Sequence, residues 1–147
     1  MLDDWDLRYL ELAKLVSTWS KDPSTKTGAV IVDSKHRVIS VGFNGFPHGV
    51  ADDARLDDRQ LKYDMIVHCE INALVFAAES IEGYTLYTYP FLSCSRCASV
   101  MIQAGIKRAL APILPTNLRP RWEDNLELTK SLFREAGVGV EEYEGKE

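Results

Sequence analysis

The feature that most restricts this chain is a repeated switch in its apolar pattern, from strand-like runs to helical spacing and back. "AVIVDSKHRVISVGFNG" holds two apolar runs, 29–32 and 38–43, around a polar turn, which is a hairpin pattern. From residue 66, "IVHCEINALVFAAES" is alanine-rich and apolar at helical spacing, so a helix is expected to about residue 80. "YTLYTYP" reads as a strand, and "SCSRCASVMIQAGI" as a helix closed near Gly105. "KRALAPI" gives a short strand, and "RWEDNLELTKSLFREAG" a helix following Pro120. That helix should turn Leu126, Leu132 and Phe133 inward and end at Gly137, with "VGVEEYE" as an edge strand beyond it. A first helix over 3–19, with Leu12, Leu15, Val16 and Trp19 at helical spacing, precedes the hairpin. Residues 47–64 are polar and charge-rich, and are expected to form a surface excursion with one short helix.

Strands that alternate with crossover helices require a partly parallel sheet with helices on both faces. The expectation is one α/β domain over residues 1–147, with a mixed sheet of about five strands between helical layers. A chain of 147 residues that is 46% hydrophobic can bury one sizeable core. The net charge of -5 argues against a surface built for long nucleic acids, which usually demand a basic face. No segment approaches the roughly 20 apolar residues that span a bilayer, and "MLDDWDLRYL" lacks a basic-then-apolar signal pattern. Cys69, Cys94 and Cys97 are an odd set for a disulfide scaffold, so the reducing cytoplasm is the expected compartment.

The chemistry concentrates where helices begin. "HCEINA" and "SCSRCA" each open a helix after a loop or strand end, and in an alternating fold those helix starts can share one edge of the sheet. His68, Cys94 and Cys97 would then meet. One imidazole and two thiolates suit zinc, and Cys94 and Cys97, three apart, can place both sulfurs on one face of a first helical turn. Three protein ligands leave a fourth position for water, the pattern of a catalytic site. Zinc lowers the pKa of water that it binds, and Glu70, two residues beyond His68, is placed to move the proton. His-x-Glu with a remote Cys-x-x-Cys is the arrangement expected of nucleobase deaminases. Against this stand a redox Cys-x-x-Cys pair, which would more naturally follow the first strand of its fold, and two merely buried cysteines. Cys69 itself reads as a small packed residue, His36 as an exposed turn residue and His48 as a loop residue flanking "GFNGFPHG".

Together, "SKDPSTKTGAVIV", "GFNGFPHG", "HCEINAL", "CSRCA", "IQAGI" and "LFREAGV" resemble the cytidine and deoxycytidylate deaminases, and more narrowly the deoxycytidylate (dCMP) deaminases, from about residue 20 to 138. The resemblance implies a three-layer α-β-α domain of the cytidine-deaminase type. It implies that His68, Cys94 and Cys97 hold one Zn2+ and that Glu70 shuttles the proton. Asn44 would hydrogen-bond the deoxyribose, and the backbone around Cys69 and Ser93 would touch the pyrimidine. Gly42 and Gly45 would let the strand end approach the ligand. The implied reaction adds water at C4 of cytosine, with Glu70 protonating N3, and releases ammonia and dUMP. Tyr89 and Phe91 are candidates to stack on the base. A 5′-phosphate asks for charge-assisted donors: Arg121 first, then Lys26 and Ser24, with Arg119 competing with Arg121. Family members are commonly homo-hexamers activated by dCTP and inhibited by dTTP, so an effector site, with Mg2+ accompanying a triphosphate, is also implied.

Two positions depart from the family pattern. Cys69 stands where alanine is usual, and Ser93 replaces the proline before the first metal cysteine, with Pro90 displaced upstream. Neither removes a ligand. No cysteine precedes residue 69, so the second, structural zinc of some relatives is not expected. Three other functions compete. A tRNA adenosine deaminase would share the zinc and the glutamate but should carry a basic surface. A free cytidine deaminase should differ around the cysteines. A non-enzymatic, zinc-stabilised binding domain would have no need of Glu70.

Overall fold

The computed structural model describes residues 2–144. In chain order these form α1 (Asp4–Ser17), β1 (Gly28–Val32), β2 (Val38–Phe43), α2 (Arg59–Met65), α3 (Cys69–Phe76), β3 (Thr85–Tyr89), α4 (Ser95–Ala104), β4 (Arg108–Pro112), α5 (Arg119–Ala136) and β5 (Gly139–Tyr143). The strands make one mixed sheet in the order β2-β1-β3-β4-β5. β1 runs antiparallel to both neighbours, whereas β3, β4 and β5 are mutually parallel. The register sets Gly28 opposite both Phe43 and Tyr89, so the start of β1 and the ends of β2 and β3 lie side by side at one edge. That edge carries the site.

Alternation along the strands divides the core into two. Ala29 and Ile31 of β1, Leu86 of β3, and Ala109 and Ala111 of β4 face the layer of α3, α4 and α5. Val30, Val32, Tyr87 and Leu110 face α1, which contributes Tyr9, Leu10 and Ala13. β1 is buried at all five positions, as a central strand covered on both faces must be.

Two glycines allow close approach between layers. A Cβ on Gly28 would stand 2.2 Å from the Ala13 carbonyl of α1. A Cβ on Gly42 would stand 2.4 Å from the Cys69 carbonyl and 2.5 Å from the Ala73 nitrogen of α3. Gly42 therefore lets α3 rest directly on β2. The close approach seen at Gly42 is to a helix, and a Cβ on Gly45 would meet no protein atom within 4 Å. Gly45 instead pairs its backbone with Val67, which fixes the residue before His68.

The structure corrects three expectations. In α1 the inward stripe is Tyr9, Leu10, Ala13, Val16 and Ser17, while Leu15 and Trp19 are 55% and 50% exposed. The small Ala13 and Ser17 lie over Gly28, a contact that two bulky residues would prevent. The helix expected from 66 to about 80 spans only Cys69–Phe76, because Val67 is held extended by Gly45 and Ala78 takes a left-handed conformation, φ 56°. In α5 the buried stripe includes Thr129 in place of Leu132, and the Thr129 hydroxyl donates to the Ser93 carbonyl at 2.8 Å.

Candidate active site

His68 is the N-cap of α3, Cys94 the N-cap of α4, and Cys97 lies in the first turn of α4. One ligand atom from each lies within 4.8 Å of the others. His68 Nδ1 is 3.2 Å from Cys97 Sγ and 3.5 Å from Cys94 Sγ, so this ring nitrogen faces both sulfurs. The partial positive charge of the α4 N-terminus favours thiolate there. The neighbouring Cys97 thiol, with His68 adding to its effect, holds the Cys94 thiol below its ordinary value. Cys97, beside that sulfur, is pushed up. The Cys94 contact also raises His68 above its ordinary value. One imidazole and two thiols, partly buried and converging on one point, fit a single Zn2+.

Glu70, on the first turn of α3, is 5% exposed and lines the same pocket as His68 and Cys94. Its Oε1 accepts a hydrogen bond from the Cys69 thiol at 2.9 Å. Burial and then the Glu70 charge push that thiol well above its ordinary pKa. Asn44, just past β2, is buried and fastened: Oδ1 accepts from the Thr27 amide at 2.9 Å, and Nδ2 donates to the Thr25 carbonyl at 2.9 Å and Asp22 Oδ2 at 3.3 Å. Its side chain faces the pocket in a fixed orientation.

The remaining expected residues divide. Ser24, Cys69, Tyr89, Phe91 and Arg121 line the pocket. Lys26 does not: its ammonium is spent on the Ser20 and Asp22 carbonyls, at 2.7 and 3.2 Å, so it clamps the loop after α1. Ser93 is also outside the lining, with its carbonyl committed to Thr129 and its buried hydroxyl without a partner. Arg119 is exposed and away from the pocket. His48 packs on Phe76, and His36 stacks on Trp5 with ring centroids 4.6 Å apart. Arg121 sits over the rings of Tyr63 and Trp122, at 5.5 and 5.4 Å. Partial withdrawal from water, and then the neighbouring Arg59, lower its basicity. Among the described residues neither arginine is held directly by a carboxylate.

Sequence reasoning missed a second group of lining residues. Lys62 of α2 donates to Asp22 at 3.0 Å in a buried ion pair, and both face the pocket with Tyr63 and Trp122. Residues 47–64 read as a surface excursion because their composition is charged. The one buried lysine among them is marked by no spacing, since its partner lies 40 residues away.

Comparison with known proteins agrees with this geometry. The family model "Cytidine and deoxycytidylate deaminase zinc-binding region" matches residues 3–111. An Aliivibrio fischeri protein described as "Uncharacterized deaminase in luxG 3'region" is 43% identical over 141 residues, spanning 95% of this chain and 94% of its own length. The Mus musculus deoxycytidylate deaminase is 32% identical, over 97% of this chain and 82% of its own. In structure, the dCMP deaminase of cyanophage S-TIM5, solved with dCMP and dUMP, aligns with a TM-score of 0.77 at 28% identity, covering 97% of this chain and 99% of that one. With the family match spanning most of the chain and the family's metal cluster assembled at the edge of its mixed sheet, this protein belongs to the zinc-dependent cytidine and deoxycytidylate deaminases.

Proposed function

We propose that the protein hydrolyses dCMP to dUMP and ammonia. The observation that carries this reading is the placement of Glu70 beside the His68–Cys94–Cys97 cluster, in a pocket that the exposed Arg121 also lines. Similarity to deoxycytidylate deaminases supports the nucleotide over the free nucleoside. His68, Cys94 and Cys97 would hold the zinc, which when bound would act as a Lewis acid and lower the pKa of a water.

The chain's own groups then manage the protons. Glu70 accepts a proton from the attacking water and delivers one to N3, so that C4 becomes tetrahedral as its bond to the water oxygen forms. It next assists proton transfer to the exocyclic nitrogen, whose bond to C4 breaks to release ammonia. The enclosure of the carboxylate keeps bulk water from competing for that proton. Asn44, already oriented by Asp22, Thr25 and Thr27 with both amide hydrogens committed, is the candidate acceptor for the sugar through Oδ1. Arg121, with Arg59 beside it, is the candidate for the 5′-phosphate, because two cations without carboxylate partners attract a dianion.

Ammonia release from dCMP, CMP, deoxycytidine, dCTP and a deaminable tRNA tests the reading. Preferential turnover of dCMP is expected, and turnover of tRNA alone would overturn the substrate assignment. Control by dCTP and dTTP, with Mg2+ on the triphosphate, and assembly as a homo-hexamer rest on the family resemblance. Adding each effector to the same assay, and measuring the mass in solution, tests both. A reducing cytoplasmic setting suits three unpaired cysteines, and among the described residues no helix is long and apolar enough to cross a membrane.

A further inference from the structure

We infer that the thiol of Cys69 is the positioning group of this active site, holding one oxygen of Glu70 so that the other is presented to the reacting base. The inference rests on the deaminase reading only for its kinetic consequence; the bond itself is independent of it.

A carboxylate can only accept, so the 2.9 Å contact between Cys69 Sγ and Glu70 Oε1 makes the thiol the donor. Both residues are almost sealed from solvent, at 1% and 5% exposure. Among the described residues nothing else donates to the Glu70 carboxylate within hydrogen-bond distance. One oxygen is therefore anchored and its twin is left for the substrate. Consecutive residues on a helix do not ordinarily face one another, so helical spacing alone does not produce this contact. The first turn of α3 is pressed onto β2 at Gly42, which fixes the Cys69 backbone. Thr27 lines the pocket with Cys69, and the Thr27 amide donates to Asn44 Oδ1 at 2.9 Å. Asn44, Thr27, Cys69 and Glu70 all line the pocket, which therefore holds both the candidate sugar contact and the proton shuttle.

The function of such a bond is orientational. Glu70 must exchange protons with the water, with N3 and with the leaving nitrogen, all presented from one side. A carboxylate free to rotate would spend part of its time facing none of them. Alanine at this position would leave the carboxylate without an anchor, whereas serine would restore a donor with a slightly shorter reach.

The composition offers a direct test. The chain has three cysteines, and in the zinc-loaded protein Cys94 and Cys97 are engaged as thiolates, which leaves Cys69 as the one S–H oscillator. Its infrared stretching band should lie below that of a free thiol in the holoprotein and move upward in Glu70→Ala. A band already at the free-thiol position, or one that Glu70→Ala leaves unmoved, overturns the bond whatever the enzyme's substrate. For the kinetic consequence, Cys69→Ala should retain zinc and lower kcat by about tenfold, the scale of losing one hydrogen bond to a charged group, with KM for dCMP little changed. Cys69→Ser should recover most of that loss. Equal activity in all three proteins, a loss confined to KM, or an equal loss in the alanine and serine variants would overturn the positioning role. Absence of dCMP turnover in the wild-type protein would reject the substrate reading, with the infrared result still deciding the contact.

Discussion

Gly42→Ala should harm this protein out of proportion to the single methyl group it adds. The added Cβ would fall 2.4 Å from the Cys69 carbonyl and 2.5 Å from the Ala73 nitrogen, and both are backbone atoms that no rotamer change can move. To reach even 3.0 Å, α3 must lift from β2 by roughly 0.6 Å, and more for an ordinary contact. Overpacking of this kind costs about 1–3 kcal/mol, which in a domain of this size lowers Tm by roughly 2–12 °C. The helix that must move has His68 as its N-cap and carries Glu70 on its first turn. A displacement approaching 1 Å at the reacting groups can cost on the order of 100-fold in rate. Urea unfolding of the zinc-loaded variant gives the stability change, and steady-state kinetics with dCMP gives the catalytic one. kcat should fall by more than the fraction of unfolded protein explains. A variant with wild-type Tm and wild-type kcat would refute the argument that α3 is seated by this glycine. Gly45→Ala is the matched control, since its Cβ meets nothing within 4 Å.

Other perturbations follow from the same contacts. Asp6 is pushed upward by burial but held below its ordinary value by the side chains of Arg108 and Tyr87. A depressed carboxylate adds stability that is present above its unfolded pKa near 3.8 and lost as pH falls through the folded one. The urea midpoint should therefore drop more steeply below pH 4 in the wild type than in Asp6→Asn; parallel curves would exclude the network as the cause. Lys62→Met should cost about 3–5 kcal/mol by leaving Asp22 buried without its cation, and adding Asp22→Asn should recover part of it, both read from denaturant midpoints. Arg121→Gln should raise KM for dCMP at least tenfold while changing deoxycytidine turnover little. Equal effects on the two substrates would remove Arg121 from the phosphate.

How far the chain could be read depends on the range of the contact. The convergence of His68 with Cys94 and Cys97 was foreseeable because each motif opens its own helix, and an alternating β/α order sends such helix starts to one sheet edge. The five strands were legible for the same reason: β1 is apolar at every position, and the later strands are each closed by a turn or a crossover helix. The inward face of α1 was not. Leu15 and Trp19 are more hydrophobic than Ala13 and Ser17, but only small residues fit over Gly28, and that requirement comes from another element. Lys26 and Lys62 show the same limit. Both are lysines in polar stretches near a pocket; one is spent on two local carbonyls, and the other crosses 40 residues to a buried aspartate. Composition ranks them alike, and only the packing of α2 against the loop after α1 separates them. The anchoring of Glu70 by Cys69 was hidden for a related reason, since neighbours on a helix are expected to diverge.

The most direct test of the account is turnover of dCMP by Glu70→Gln, measured together with zinc content. The substitution keeps the size of the side chain and removes its ability to carry a proton. The account predicts one zinc per chain, a Tm close to wild type and a fall in kcat of at least about 100-fold, the scale of a lost general acid–base group. A zinc-loaded Glu70→Gln protein that deaminates dCMP at the wild-type rate would contradict the assignment of the proton shuttle, and with it the central claim about how this pocket works.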